Sequence, residues 1–367
     1  MRLPFTLSFY IGRQFLASIA MVLGIMLVIV ALGDLVELIR RTSDVKVGFP
    51  IVLEMLLLKV PDTGSRILPF AVLIGGMVAL TRLTRSNELV VVRAAGVSVW
   101  QFLMPALVLV LALGGIFVTI FNPISAAMLS RFEQLEAKYV TGQTSMLAVS
   151  STGLWIRQVE HGGGEIKENI FHAMKVEQEG IQLSDVIVFG FGANSKFISR
   201  TDAAYASLED GKWHLHDVTI NRPGQFPEHK DDLLLDTDLT PGQIQDSFAL
   251  PYTLSFWQLP SFIHTLERAG FSAMRHRMYW HSLLASPMLL CAMILIAAVF
   301  SLRLPRRGGI MLLVVAGIVT GFLVHLLTQL VFAFGQSGEI PVTLAAWAPA
   351  MIAMMFGGGL LLHLEDG

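Results

Sequence analysis

The sequence predicts a membrane protein of mixed α and β structure, in which three membrane-spanning helices lie on each side of an inserted β-domain. Of the 367 residues, 54% are hydrophobic and only 15% are charged, whereas soluble domains carry about 25% charged residues. Six long apolar runs occur, three before residue 131 and three after residue 279. Between them, apolar and polar side chains alternate and are interrupted by glycine and proline, as is typical of β-strands and turns.

Each of the six runs is long enough to cross a bilayer, whose hydrocarbon core needs ~20 helical residues. The second run is the least uniform, because Lys59, Asp62 and Arg66 lie on one face of its first half. Charges in a membrane helix commonly face a wet cavity; a helix that extends beyond the bilayer explains them equally well. The runs are Phe15–Gly33, Ile51–Leu80, Trp100–Phe121, Ser282–Leu302, Gly308–Gly338 and Ile340–Leu364.

The distribution of arginine predicts the orientation, since short cytoplasmic loops of membrane proteins are enriched in Lys and Arg. Six spans place both termini on one side. With the termini inside, the short outside loops hold only Arg40, Arg41 and Lys46 as basic residues. The inside segments hold Arg2, Arg13, Arg82, Arg85, Arg93, Arg303, Arg306 and Arg307. The β-domain is therefore predicted to lie outside.

A short polar stretch, residues 81–96, separates the second and third runs and lies on the predicted cytoplasmic side. Ser86 or Asn87 can cap a helix that starts with Glu88, whose carboxylate favours the helix dipole, and Gly96 suits the position after a helix end. We predict a helix from about Glu88 to Ala95. Taken alone, this stretch is better explained by a charged loop that holds two spans in register.

Several function classes are disfavoured by the sequence. It contains no phosphate-binding loop, no His-Glu-x-x-His and no Gly-x-Ser-x-Gly motif, so no catalytic, metal or cofactor site is predicted in this chain. One cysteine, Cys291, allows no disulfide within the chain. The net charge of −2 argues against nucleic acid as a partner.

The segment Ser86–Gly96 resembles the cytoplasmic coupling segment of the LptF/LptG family, the permease subunits of the lipopolysaccharide export ABC transporter. The resemblance extends over the whole chain. It includes Tyr10-Ile11-Gly12-Arg13, Leu68-Pro69-Phe70, Gly153-Leu154-Trp155 and the stretch Gly317 to Gln329.

The resemblance implies an inner-membrane protein of a Gram-negative bacterium that takes lipopolysaccharide from the membrane lipid and passes it to a periplasmic protein bridge toward the outer membrane. It implies a heterodimer with an LptF-like permease, an LptB-like ATPase dimer that binds ATP and Mg, and an LptC-like bridge protein. The chain then divides into residues 1–123 with the coupling helix at about 86–96, a periplasmic β jelly-roll domain at 124–257, and residues 258–367.

Two sets of residues are candidate sites. Leu89 and Val92 recur at i, i+3 and give a small apolar face, flanked by Arg85, Glu88 and Arg93, that is predicted to dock on the ATPase. At the other end of the first span, the resemblance implies that Arg40 and Arg41 contact phosphates of lipopolysaccharide. Relatives can carry lysine where this chain has Asp34 and Asp62, so the chain departs from the family pattern at these two positions and the resemblance does not decide whether they contact the lipid.

Two alternatives follow from the same sequence. An ABC permease for another lipid or lipoprotein cargo generally has one span before its large outer domain, whereas this chain has three. An intramembrane lipid enzyme needs converging catalytic groups within the spans, and the sequence shows none with suitable spacing.

Overall fold

The computed structural model describes residues 5–43, 47–86, 88–94, 96–141, 146–150, 153–162, 165–177, 182–192, 196–209, 211–237, 250–268, 272–302 and 310–366. They form two compact units. The first, called the membrane unit, comprises Met1–Val140, Ser255–Trp257 and Arg277–Gly367. The second, called the β-domain, comprises Thr141–Leu254 and Gln258–His276. Asn87, Arg303, Arg306 and Arg307 lie outside the described residues.

Six helices long and apolar enough to cross a membrane occur in the described part of the chain, as predicted. The helices are α1 (Phe5–Thr42), α2 (Phe49–Arg85), α3 (Glu88–Ala94), α4 (Val99–Ile116), α5 (Asn122–Glu136), α6 (Leu259–Arg268), α7 (Met274–Ser301), α8 (Ile310–Gln336) and α9 (Val342–Asp366). The spans are α1, α2, α4 with α5, α7, α8 and α9. With 38 and 37 residues, α1 and α2 exceed the ~20 residues that cross a bilayer.

The third span continues far beyond residue 121, where the apolar run ends. A π-helical turn, Phe117–Phe121, joins α4 to α5, and a second one, Ala137–Thr141, follows α5. Residues up to 140 therefore belong to the membrane unit. The predicted domain boundary at residue 124 lies within this helix. At the other end, α6 follows the predicted boundary at residue 257 but belongs to the β-domain, which includes Gln258–His276.

Pro123 made a helix end plausible at this point, because proline cannot donate to the carbonyl four residues earlier. Here that carbonyl belongs to Thr119, and it accepts a hydrogen bond from the Trp257 indole at 3.1 Å. The Asn122 side chain accepts from the Phe256 N–H at 2.7 Å. Trp257 thus supplies the hydrogen bond to the Thr119 carbonyl that Pro123 cannot supply, and the helix continues past the proline.

The core of the membrane unit lies among α1, α2, α4 and α7. The helices approach closely at glycines: a Cβ on Gly75 would lie 2.6 Å from Ile19 Cα, and one on Gly114 would lie 2.7 Å from Pro287 Cα. In α7 every residue from Leu290 to Val299 is buried. In contrast, α8 exposes many large apolar side chains, including Leu312, Phe322 and Leu330. Such a face needs lipid or another protein around it.

The β-domain is one antiparallel sheet whose seven strands follow sequence order. They are β1 (Met146–Ser150), β2 (Gly153–Gly162), β3 (Glu165–Glu177), β4 (Gln182–Gly192), β5 (Lys196–Glu209), β6 (Lys212–Asn221) and β7 (Glu228–Asp236). Burial alternates along β6, where Trp213 and Leu215 are buried; the alternation shifts by one residue at Asp217, whose φ is +55°, and resumes at Val218. Leu266 of α6 packs against the same core.

The predicted α+β membrane fold, with a β-domain between the third and fourth spans, is confirmed. The longest described strand is β5, which spans 14 residues. A jelly roll contains Greek-key crossovers, whereas the described strands form a sequential meander. The described sheet therefore has the predicted antiparallel strands in a simpler order.

Candidate functional site

The predicted coupling helix exists as α3, Glu88–Ala94, between α2 and α4. Gly96 follows with a φ of +82°, the left-handed conformation that favours glycine after a helix. Ser86 does not provide the predicted cap, because its hydroxyl donates to the Leu83 carbonyl at 3.2 Å and so belongs to the end of α2. The helix spans only two turns, so its position depends on contacts to the rest of the chain.

The apolar face of α3 that was predicted to dock on the ATPase packs inside the chain itself. Leu89 is 4% exposed and lies in the same buried cluster as Ile11, and Val92 packs against that cluster. These two residues therefore anchor α3 to its own chain. Val91, 67% exposed, and Ala94, also exposed, form the opposite face at the same i, i+3 spacing. Among the described side chains of α3, those of this second face are available to a partner.

Glu88 is linked to the first membrane helix. The Tyr10 hydroxyl donates to the Glu88 carboxylate at 3.3 Å, and the Gln14 amide donates to the Tyr10 oxygen at 3.2 Å. Sequence reasoning used Tyr10 only as part of a motif and missed this contact. A phenol at an interfacial helix end commonly finds a polar partner, but its partner here is 78 residues away.

Of the two arginines assigned to the coupling segment, the structure describes the side chain of Arg85 only. Arg85 is exposed at the end of α2, and its side chain makes no ion pair with another residue in the described ranges. The side chain of Arg93 lies outside the described part of the molecule. The main chain places Arg93 one residue before the end of α3.

At the opposite end of α1, Arg40 and Arg41 both engage Glu37. Arg40 donates through Nε and Nη2 at 3.0 and 2.9 Å, and Arg41 donates through Nε at 2.7 Å. Arg41 also donates to Glu136 of α5 at 3.3 Å. The predicted lipid contacts are thus exposed guanidinium groups that already hold carboxylates. A phosphate that binds through the same donors competes with those carboxylates.

Asp34 and Asp62 both have cationic partners on α2. Asp34 accepts from Lys59 at 2.8 Å and from the Thr63 hydroxyl at 3.2 Å. Asp62 pairs with Arg66 at 2.8 Å. Lys59 and Thr63 thus join the charged face of α2 to Asp34 of α1. Whether that face lines a wet cavity or lies beyond the bilayer stays a prediction.

Residues 9–363 match the family described as lipopolysaccharide export system permease LptF/LptG. The chain is 24% identical to the lipopolysaccharide export system permease protein LptG of Haemophilus influenzae, over 98% of this chain and 99% of that protein. It is 25% identical to the LptG of Escherichia coli K12, over 96% of this chain and 94% of that protein. The match covers both membrane halves and the β-domain, and the chain belongs to the LptF/LptG family of lipopolysaccharide export permeases.

Proposed function

We propose that this chain is the LptG-type half of a permease heterodimer that takes lipopolysaccharide from the inner membrane and passes it to an LptC-like periplasmic bridge. Its proposed partners are an LptF-like permease and an LptB-like ATPase dimer, which binds ATP and Mg. Family membership and the names of the relatives support this assignment. The chain itself has no phosphate-binding loop, so hydrolysis is assigned to the separate subunit.

The observation that carries the proposal is the position of α3 at one end of α1, with Arg40 and Arg41 at the other. The helix α1 runs without interruption for 38 residues, about 57 Å at 1.5 Å per residue. Leu89 packs α3 into the core that contains the first part of α1, and Tyr10 bonds to Glu88. A displacement of α3 by a partner therefore acts on a rigid element that reaches the proposed lipid site.

In this proposal, the exposed face of α3, Val91 and Ala94, docks on the ATPase, with Arg85, Glu88 and Arg93 at its edges. Leu89 and Val92 transmit the movement because they are enclosed by the membrane unit. Tyr10 is a positioning residue that ties Glu88 to α1. The roles of the coupling residues are thus divided between binding the partner and anchoring the helix.

At the lipid end, Arg40 and Arg41 are proposed to exchange Glu37 for a phosphate of lipopolysaccharide. Guanidinium groups hold carboxylates and phosphates with similar paired geometry, so one anion can replace the other. Side chains at this end are exposed, with Arg40 at 76% and Arg41 at 52%. The exchange therefore needs no opening of the core.

Glu37→Gln is expected to raise lipopolysaccharide retention, because it removes the anion that competes with phosphate. Exposed ion pairs are weak, so we expect an increase of up to about fivefold. Arg40→Gln with Arg41→Gln should lower retention instead. The measurement is the amount of lipopolysaccharide crosslinked to the purified transport complex. Arg131→Gln is the matched control, since Arg131 is an exposed arginine of α5 whose described side-chain partner is Gln134. Equal crosslinking in all variants would reject Arg40 and Arg41 as lipid contacts.

The proposed topology places the β-domain in the periplasm and α3 in the cytoplasm. Phe226→Cys, in the turn before β7 and 96% exposed, should react with a membrane-impermeant maleimide in intact spheroplasts. Arg13→Cys, at an exposed position of α1 on the proposed cytoplasmic side, should react only after the membrane is broken. The background is low because Cys291 is the one cysteine of the chain and is buried. The reverse pattern of labelling would invert the topology.

A further inference from the structure

A groove of about 620 Å³ opens on the membrane unit beside the end of α2. Its wall is one stripe of α2, from Ile74 to Ser86, completed by Val314 of α8. Ligand pockets in proteins commonly enclose about 300–1,000 Å³, so this groove is large enough to hold part of an amphiphilic molecule. It lies at the α3 end of the membrane unit, away from Arg40 and Arg41.

The groove changes from apolar to cationic along its length. Ile74, Met77 and Val78 line its apolar end, and Arg82 and Arg85 line its cationic end, called the mouth. These residues share one face because their spacings of three and four match the helical period. A lipid has the same order of properties, from an apolar tail to a charged head group.

The two arginines at the mouth are available for an anion. Both are exposed, and within the described ranges neither forms an ion pair or a side-chain hydrogen bond. Glu88 is the nearest carboxylate along the chain, and it accepts a hydrogen bond from Tyr10. Residues 82 and 85 are one helical turn apart, so their guanidinium groups can both reach one phosphate.

We propose that this groove binds an anionic glycerophospholipid, with its phosphate on Arg82 and Arg85 and an acyl chain along Ile74, Met77 and Val78. The charge of the mouth favours an anionic over a zwitterionic lipid, and the apolar wall favours a lipid over a free phosphate. The site is distinct from the proposed lipopolysaccharide contacts, since it lies at the other end of α2. The inference does not depend on the proposed direction of transport.

The test uses the full-length chain in its native complex, placed in nanodiscs of phosphatidylcholine with a minority of phosphatidylglycerol. Native mass spectrometry counts the lipids that stay bound. The wild type is expected to retain phosphatidylglycerol in preference to phosphatidylcholine. Arg82→Gln with Arg85→Gln should reduce that retention by about tenfold, because one phosphate loses its paired charged donors.

Two further variants separate the groove from the general surface. Val78→Trp fills the apolar wall and keeps both arginines, so it should also reduce phosphatidylglycerol retention. Arg13→Gln removes an exposed arginine of α1 outside the groove and should leave retention unchanged. Arg82→Gln alone should also lower phosphatidylglycerol retention. Because Arg85 is unchanged in this variant, measuring the bound ATPase in the same sample separates lipid binding from coupling.

Three results would overturn the proposal. The wild type could retain both lipids equally, which would show that the groove binds lipids without selecting their head groups. The double variant could retain phosphatidylglycerol like the wild type. Added lipopolysaccharide could displace the phosphatidylglycerol one for one, which would place the groove on the path of the transported lipid instead.

Discussion

Replacing Val91 with glutamate is expected to remove the ATPase from the purified complex while the chain itself stays folded. Val91 is 67% exposed on the outer face of α3, so the substitution costs the free chain little. In a docked interface the new carboxylate would be buried without a partner, and an uncompensated buried charge costs about 3–5 kcal/mol, more than about a hundredfold in dissociation constant. The measurement is the amount of ATPase that copurifies with the tagged chain.

Val91→Thr is the matched control, because it keeps the shape of valine without adding charge, and it should retain most of the ATPase. Leu89→Ala provides the opposite comparison. Leu89 is buried in the chain's own core, so its truncation should lower stability by about 2–5 kcal/mol and should reduce the yield of folded chain before it affects docking. A Val91→Glu complex with the full amount of ATPase would show that docking uses another surface.

The face of α3 illustrates what periodicity cannot decide in a short helix. Leu89 with Val92 and Val91 with Ala94 both recur at i, i+3, and seven residues contain too few turns to favour one pair. The choice depends on which pair meets the buried cluster around Ile11. That cluster contains residues far away in sequence, so the burial of Leu89 is a property of the tertiary structure.

The number of spans was predictable for a stronger reason. A backbone inside lipid must satisfy its own hydrogen bonds, so apolar runs of sufficient length form helices with few exceptions. The ends of the spans carry no such constraint. Beyond Phe121 the third helix leaves the apolar run, and the contact between Trp257 and the Thr119 carbonyl lets it pass Pro123. Neither partner of that contact is recognisable from its local sequence.

The ion pairs at the charged end of α1 were partly predictable from the sequence. Glu37 precedes Arg40 and Arg41 by three and four residues, the spacing at which helical side chains pair. The sequence alone could therefore have indicated that these arginines hold a carboxylate. The contact of Arg41 with Glu136 could not be foreseen, because it joins helices separated by 95 residues.

Tyr10→Phe and Glu88→Gln are expected to uncouple ATP hydrolysis from lipopolysaccharide release to different degrees. Tyr10→Phe removes only the hydroxyl that donates to Glu88. The ATPase should stay bound and hydrolyse ATP, while less lipid is released per ATP. Glu88→Gln keeps the shape and removes the charge, so it weakens the Tyr10 contact and also any ion pair with the ATPase, whose loss costs about 2–5 kcal/mol when desolvated.

The double variant distinguishes these two roles of Glu88. If Glu88 acts on both Tyr10 and the ATPase, Glu88→Gln is the more severe single change, and adding Tyr10→Phe changes little further, because the shared contact is already weakened. If Glu88 acted on the ATPase alone, Tyr10→Phe would be silent. If it acted through Tyr10 alone, the ATPase would remain fully bound in every variant.

The readouts are the copurified ATPase, its rate of ATP hydrolysis and the lipopolysaccharide released from proteoliposomes per ATP. Tyr205→Phe in the β-domain is the control, since the Tyr205 ring stacks on His216 and its hydroxyl has no hydrogen-bond partner within the described ranges. It should behave as the wild type. At 3.3 Å, the contact between Tyr10 and Glu88 is long for an O–H···O hydrogen bond, and Tyr10 is 39% exposed, so the contact adds little to the stability of the chain. The effect of Tyr10→Phe should therefore appear in coupling efficiency and not in thermal stability. A Tyr10→Phe complex that releases lipid at the wild-type ratio would remove Tyr10 from the coupling path and leave the anchoring of α3 to Leu89 and Val92.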